Sequence, residues 1–234
     1  MQNHLSAKLF AEFIGTFAFV FIGAGAAAVV GTGAGLHGIA AIAFAHGLTI
    51  MVFAFAYGSL SRAHFNPSVT VAILAARAMS LAEAIGYIIS QMVAAICAAF
   101  LFRAVLGGIE TGLGRPELAH GVALGATTLT ITPAAGFVIE AVLGFFLSLV
   151  VLTTAVGRSA TNFAPLAIGM TVAFNIMMAA ALTGATFNPA IAFGPMVATG
   201  NFTDAWLYII APGRRRSRRG LHLQRAEHAC TGRE

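Results

Sequence analysis

Charged residues are scarce in this sequence: Asp, Glu, Lys and Arg together make up 9% of its 234 residues. A soluble globular domain carries about 25% charged residues, so the composition excludes an ordinary soluble domain. Hydrophobic residues account for 59% of the chain, and its mean hydropathy is +0.88. These values predict an integral membrane protein whose immediate partner is the lipid bilayer.

Cysteine is scarce as well. The two cysteines, Cys97 and Cys230, are too few for a disulfide framework or a cysteine-based metal cluster. The sequence also offers no recognisable set of nucleophile and base, or of metal ligands. We therefore predict that the protein is not an enzyme and binds neither a metal nor a cofactor.

The net charge of +5 belongs to one end of the chain. Seven of the thirteen basic residues and two of the eight acidic residues follow residue 213, which leaves six of each before it. The body of the chain is thus neutral, and its high isoelectric point does not indicate a nucleic-acid partner.

Long apolar segments are abundant. A helix needs about 20 apolar residues to cross a bilayer, and within lipid only closed backbone hydrogen bonding is tolerated. The richness in Gly and Ala predicts close helix packing, for example at Gly31, Gly33 and Gly35. A sixth span begins near Asp204, and the five others lie near residues 8–31, 38–58, 81–106, 134–156 and 163–182.

Two shorter apolar stretches each follow Phe-Asn-Pro, at residues 65–67 and 187–189. Asn is a favoured N-cap and Pro a favoured first helical residue, so each motif predicts a helix that begins at Asn66 or Asn188. Each apolar stretch is too short to cross a membrane. The pair therefore predicts two re-entrant half-helices, which are tolerated only where they are buried or line a cavity.

The two halves of the chain, about residues 5–107 and 133–212, resemble each other. Glu12 in AEFIGTF and Glu140 in IEAVLGFF open them alike, and three spans per half require inverted topology. Positive-inside bias then puts the N-terminus in the cytoplasm. The basic side carries Lys8, Arg62, Arg77 and Arg158; the other side carries Glu110, Glu117 and Asp204, with Arg115 and Arg103 as exceptions.

Two half-helices that enter from opposite faces would meet near the midplane. Their N-termini carry unpaired N–H groups and about half a positive charge each. Asn66 and Asn188 would add side-chain donors at the same point. Such a centre repels cations and protons and indicates a passive channel for neutral solutes.

These motifs, together with AEFIGTF, HFNPSVTVA, GYIISQ and FNPAIAFGP, resemble the aquaporin, or major intrinsic protein, family over about residues 5–212. The resemblance implies an all-α, right-handed bundle of six transmembrane helices plus two half-helices, arranged as an inverted repeat. It also implies a homotetramer in a bacterial-type inner membrane, with one pore for water or small uncharged solutes per subunit. The motif residues after the two asparagines are Pro67, Ser68, Pro189 and Ala190.

The resemblance also assigns a selectivity filter to His46, Ile176, Ala185 and Ile191. Ile191 stands where the family usually has Arg, so the filter loses five donors and a fixed charge and should be wider and more apolar. His46 would keep one polar contact there, and its protonation could tune passage. An Arg-less filter resembles bacterial members associated with bulkier neutral solutes, including arsenic hydroxides and methylated arsenicals.

Several alternatives stay open. A glycerol-type facilitator is one, although Ala192 stands where that branch usually has Asp. An ion-coupled transporter is another, with Glu12 and Glu140 as its buried acids; in the family such acids instead brace the half-helix backbones. His46 could serve a backbone carbonyl between helices, and Gln91 is interpreted as a helix-packing residue without a pore role.

The end of the chain departs from the family. NFTDAWLYIIAP, at 201–212, begins like a sixth helix, but five arginines follow within residues 214–219. Each would cost roughly 2.5–3.5 kcal/mol inside a membrane, so the sixth helix is cut to about a third of its length. We therefore separate the channel domain, 1–212, from a tail, 213–234, that is either a frameshift product or a basic, disordered cytoplasmic segment.

Overall fold

The protein is an α-helical bundle. The structure, a computed structural model, describes residues 5–31, 35–124, 126–158 and 160–213. Five of its helices are long and apolar enough to cross a membrane. In chain order the helices are α1 (Leu5–Val30), α2 (Gly35–Ser61), α3 (Pro67–Ala75), α4 (Leu81–Leu106), α5 (Pro133–Val156), α6 (Ala164–Thr183), α7 (Pro189–Thr199) and α8 (Ala205–Ile210).

The predicted spans correspond to α1, α2, α4, α5 and α6, and the two predicted half-helices are α3 and α7. Each half of the chain runs through two long helices, a half-helix and a further helix. The prediction of a helical bundle with two half-helices is confirmed. Residues 214–234, which form nearly all of the predicted tail, lie outside the described residues.

Local capping explains where α4 and α5 begin and where α4 ends. Ser80 caps α4 by accepting a hydrogen bond from the backbone N–H of Glu83, and Thr132 caps α5 in the same way. α4 ends at Gly107, whose φ of 75° lies in the left-handed region that glycine adopts readily. The connection that follows carries a short antiparallel hairpin, β1 (Val122–Leu124) and β2 (Thr127–Leu129), which the sequence analysis did not predict.

Close helix packing depends on other glycines than those the sequence analysis named. A Cβ atom on Gly47 of α2 would lie 2.6 Å from the carbonyl oxygen of Gly169 on α6, so these backbones touch. Gly31 and Gly35 make no such contact within the described residues, where a Cβ on either would meet no atom within 4 Å; both have positive φ beside the α1–α2 turn. Gly33 lies outside the described residues.

A similar close backbone contact at a glycine joins the half-helix α7 to α4. A Cβ on Gly194 would lie 2.4 Å from the carbonyl oxygen of Ala95. Any larger residue at 194 would therefore push the half-helix away from the helix that supports it.

The last described helix begins where the sequence predicts a sixth span. α8 begins directly after Asp204, spans Ala205–Ile210, and continues as a single 3-10 turn to Gly213. Its buried residues include Leu207 and Tyr208, so this stub is packed into the bundle.

Candidate functional site

The N-termini of α3 and α7 meet inside the bundle. Asn66 caps α3: its Oδ1 accepts a hydrogen bond from the N–H of Ser68 at 2.8 Å. Asn188 caps α7 in the same way, with Oδ1 3.0 Å from the N of Ala190. Pro67 and Pro189 are the first helical residues. Both helices thus begin for the reason that the Asn-Pro sequences predict.

The two asparagines also connect the halves reciprocally. Asn66 Nδ2 donates to the carbonyl oxygen of Phe187 at 3.1 Å, and Asn188 Nδ2 donates to that of Phe65 at 2.9 Å. Each side-chain amide carries two N–H groups, and this bond uses one of them. One N–H on each asparagine is therefore left for a third partner at the junction.

The backbone before each half-helix is strained. Phe65 has a φ of 47°, Ala185 one of 47° and Phe187 one of 32°, all in the left-handed region that residues with a side chain avoid. Each such residue costs on the order of 1–3 kcal/mol and persists only where its surroundings hold it.

Glu12 of α1 holds the first strained segment. Its carboxylate accepts hydrogen bonds from the backbone N–H of His64 at 2.9 Å and of Phe65 at 2.7 Å. It also accepts from Ser61 Oγ at 2.7 Å and from Gln91 Nε2 at 2.8 Å. Glu12 is fully buried, and these donors come from three elements of the first half.

Glu140 of α5 holds the second segment through the backbone N–H groups of Thr186, at 3.0 Å, and Phe187, at 2.5 Å. Its third donor is Thr183 Oγ1, at 2.6 Å. Within the described part of the chain it has no donor that corresponds to Gln91.

Comparing equivalent positions in the two halves of the chain shows why Glu140 lacks this donor. Tyr87 donates to the carbonyl oxygen of Ser61, and Tyr208 donates to that of Thr183, so the two tyrosines are equivalent. Gln91 follows the first tyrosine by one helical turn. Pro212 occupies that position after the second and brings no side-chain donor.

A cavity of about 590 Å³ opens from the junction toward the α4–α5 connection. His46 of α2, Ile176 of α6, Ala185 before α7 and Ile191 on α7 all contribute to its lining. The structure therefore brings the four filter candidates into one space. Glu110, Arg115 and Glu117 lie in the same lining, and Arg115 is paired with Glu117.

His46 has a defined tautomer. Its Nδ1 lies 2.9 Å from the carbonyl oxygen of Ile42, one turn earlier on α2. Because a carbonyl only accepts, Nδ1 carries the hydrogen and the neutral ring keeps Nε2 as an acceptor. His46 thus serves a carbonyl of its own helix and lines the cavity at once.

Gly23, which lies in a π-helical turn of α1 (Phe19–Ala24), leaves space for the imidazole. The ring of Phe19 packs edge-on against His46, and a Cβ on Gly23 would lie 2.4 Å from the His46 ring. Turns of this type recur at functional sites.

A second cavity, of about 310 Å³, lies where α1, the end of α2 and α4 approach the other face. Its lining includes Lys8, Arg62, His64 and Glu83, with Lys8 paired to Glu83 at 2.8 Å. The described residues contain no group of three or more His, Cys, Asp or Glu side chains that could hold a metal ion.

A sequence model of the family described as Major intrinsic protein matches residues 2–213. The chain belongs to the major intrinsic protein family. Members of this family are channels for water and small solutes, and this major intrinsic protein is a multi-pass membrane channel for small neutral molecules.

Individual proteins that this major intrinsic protein resembles are consistent with the family assignment. Glycerol uptake facilitator protein-like 6 of Lactiplantibacillus plantarum is 39% identical over 214 residues, which cover 88% of this chain and 91% of that protein. Aquaporin NIP3-1 of Zea mays is 34% identical over 209 residues, which cover 89% of this chain and 66% of that protein. The solved structure of the aquaglyceroporin from Plasmodium falciparum matches with a TM-score of 0.74 at 20% identity, over 91% of this chain and 93% of that chain, and supports the fold.

Sequence reasoning missed three contributors to the site: the π-helical turn with Gly23, the Gln91 bond to Glu12, and Thr186 in the cavity lining. Gln91 carried a usable signal, because a buried amide in an apolar helix needs a polar partner. No sequence pattern marked the other two.

Proposed function

We propose that this channel conducts uncharged solutes larger than water, as well as water, through a filter formed by His46, Ile176, Ala185 and Ile191. The observation that carries the proposal is Ile191 in the cavity lining, at the position where the family usually has Arg. Among the described residues of that lining the one arginine is Arg115, which is paired with Glu117. The filter therefore has an apolar wall with His46 as its polar member.

Selection against ions is assigned to the junction of the half-helices. The remaining N–H groups of Asn66 and Asn188, and the positive ends of α3 and α7, present only donors to a permeant. A water molecule there accepts from both asparagines, which opposes its relaying a proton, and a cation is repelled.

Glu12 and Glu140 are assigned a bracing role. Both oxygens of each carboxylate accept from fixed backbone N–H groups, and those bonds would weaken if the acid took up a proton. This argues against an ion-coupled transporter, in which a buried acid must gain and lose its proton during transport. The proposed activity is passive and includes no enzymatic step.

Glycerol is the first solute to test. The relative from Lactiplantibacillus plantarum is named a glycerol uptake facilitator, and an apolar wall suits the carbon side of a polyol. Ala192, where glycerol-type members usually have Asp, weighs against a dedicated glycerol facilitator. Arsenite and methylated arsenicals, which are neutral hydroxides, are the bulkier candidates.

We further propose a homotetramer in a bacterial-type inner membrane, with the N-terminus in the cytoplasm. The sidedness is supported by two basic residues, Lys8 and Arg62, in the lining of the second cavity, against one, Arg115, in that of the first. Mass measurement in detergent tests the tetramer, and protease protection of an N-terminal tag tests the orientation.

Proteoliposome stopped-flow light scattering tests the function. We expect fluxes of water, glycerol, urea and arsenicals above those of empty liposomes, linear in the gradient and insensitive to a pH gradient. Saturable flux that depends on an ion gradient would contradict a channel.

Ile191→Arg tests the filter, with Ile191→Leu as a control of equal volume. Arg adds five donors and a charge, so it should narrow the range toward water, whereas Leu should leave the range unchanged. An unchanged range in Ile191→Arg would show that Ile191 does not select.

A further inference from the structure

The second cavity, of about 310 Å³, carries a net positive charge. Among the described residues of its lining, Lys8 and Arg62 are basic and Glu83 is acidic, so these charges sum to +1. Among those of the first cavity, two glutamates stand against one arginine, and these charges sum to −1. The second cavity therefore favours an anionic ligand, whereas the first does not.

The charged side chains of the second cavity are accessible. Those of Lys8 and Glu83 are 30% and 24% exposed, and Arg62 is exposed as well. The guanidinium of Arg62 donates through Nη1 to the carbonyl oxygen of Ala78 at 2.9 Å, which uses one of its five N–H groups. Lys8 Nζ lies 2.8 Å from Glu83 Oε1, and an ammonium carries three N–H groups. Both cations thus carry more N–H groups than these two bonds use.

The cavity lies at one end of the bundle. α1 begins at this end, α2 ends there at Ser61, and α4 begins there at Leu81. Because these three helices are long enough to cross a membrane, their ends lie near the level of the lipid phosphates. Ligand cavities measure about 300–1,000 Å³, so this one suits a headgroup rather than a whole lipid.

Apolar side chains adjoin the charged ones on two of these helices. Leu81 and Ile85 are exposed on either side of Glu83 along α4. Leu5 is exposed about one turn before Lys8 on α1. In a membrane such side chains contact acyl chains. A basic cavity beside an apolar surface has the arrangement of a phospholipid, whose phosphate adjoins its acyl chains.

We propose that the second cavity binds the phosphate group of an anionic phospholipid through Lys8 and Arg62. Basic pockets between transmembrane helices on the cytoplasmic side bind lipid headgroups in this way. The headgroup lies against Ser61, whose hydroxyl donates to Glu12 at 2.7 Å, so it stabilises the segment that Glu12 holds. The inference is independent of the proposed solute range, because it concerns a lipid site and not the pore.

Thermal melts of the full chain in detergent, read at the fluorescence of Trp206, test the inference. A ligand that binds only the folded chain raises the apparent Tm as its concentration increases. Phosphatidylglycerol is the anionic lipid, phosphatidylcholine the lipid without net charge, and inorganic phosphate the free anion. We expect saturating phosphatidylglycerol to raise the Tm by about 3–8 °C, and the other two to raise it much less.

Three substitutions test which charges bind the lipid. Arg62→Gln should raise the phosphatidylglycerol concentration for a half-maximal shift by about tenfold or more, because it removes charge-assisted hydrogen bonds. Glu83→Gln should lower that concentration, because it removes the acid of the lining. Arg77→Gln is the matched control: it deletes an exposed arginine outside the lining and should stay within about twofold of the wild type.

Lys8 gives a second, independent pair of variants should Arg62→Gln fold poorly. Lys8→Gln should weaken the response to phosphatidylglycerol, whereas Lys8→Arg, which keeps the charge, should restore it. An unchanged half-maximal concentration in both Arg62→Gln and Lys8→Gln would overturn the inference. So would an equal weakening in Arg77→Gln, or a wild-type shift as large with phosphatidylcholine or inorganic phosphate as with phosphatidylglycerol.

Discussion

The substitution Glu140→Gln tests whether the Glu140 carboxylate braces the backbone before α7 or carries protons. The Glu140 oxygens accept from Thr183 Oγ1 and the N–H of Thr186 on one side and from the N–H of Phe187 on the other. A Gln side chain must place its NH₂ group opposite one of these backbone donors. Whichever way the amide turns, one backbone bond is lost and two donors face each other.

The cost follows from the chemistry of those bonds. A hydrogen bond to a charged group contributes about 1.5–3 kcal/mol, and a buried donor left without a partner costs a similar amount. We therefore expect Glu140→Gln to lose roughly 3 kcal/mol or more, which for a chain of this size lowers the apparent Tm by about 6–12 °C. The loop that presents Phe187 should loosen, so solute flux should fall as well.

Trp206 gives the assay a built-in probe. It is the one tryptophan of the chain, and its ring stacks on Phe137 of α5 at 6.0 Å, so its fluorescence reports on the packing of α8 against α5. Thermal melts in detergent are read at this residue, and flux is read in liposomes. Glu83→Gln is the control, because Glu83 pairs with Lys8 at a partly exposed site worth about 0–1 kcal/mol.

Two outcomes would refute the bracing role. One is a Glu140→Gln protein with the Tm and flux of the wild type. The other is a protein of normal Tm whose flux loses a dependence on the pH gradient, which would make Glu140 a proton carrier.

Substitutions at three further positions test the surroundings of the site. Gln91→Leu removes a donor to Glu12 and should lower the apparent Tm by several degrees, whereas Gln91→Glu, which adds a charge beside that carboxylate, should lower it further; equal melts for all three proteins would exclude the contact. Gly23→Val should displace His46 and reduce glycerol flux in liposomes, while Gly58→Ala, where a Cβ meets nothing within 4 Å, should leave flux unchanged. Gly47→Ala should push α2 from α6 and lower the Tm by a few degrees relative to Gly58→Ala, and a melt like that of the control would mean that these helices can separate without cost.

The sequence predicted the helices and the half-helices well, because their signals are local. Apolar length defines a span, and Asn-Pro supplies its own cap, so the first residues of α3 and α7 could be placed from the sequence. The close contacts were harder to predict. Gly47 and Gly169 meet across two helices distant in sequence, whereas Gly31 and Gly35, which the sequence does not distinguish from them, contact no other helix among the described residues.

The site residues also divide into those with a local sequence signal and those without one. The resemblance to a family was enough to name His46 and Ile191, since each stands at a fixed spacing from a motif. Thr186 has no such mark, because a threonine next to a motif reads as an ordinary small polar residue. Its place in the cavity lining depends on how the segment before α7 folds back into the bundle, which only the three-dimensional structure reveals.

The reciprocal bonds of the two asparagines make the junction of the half-helices an interface of two-fold type, of the kind that joins identical subunits. Asn66 acts on the second half and Asn188 on the first, while each carboxylate serves only its own half. The proposed point of permeation is thus the seam between two similar units that share one polypeptide. Cutting the chain between α4 and α5 should leave two fragments that find each other through this seam.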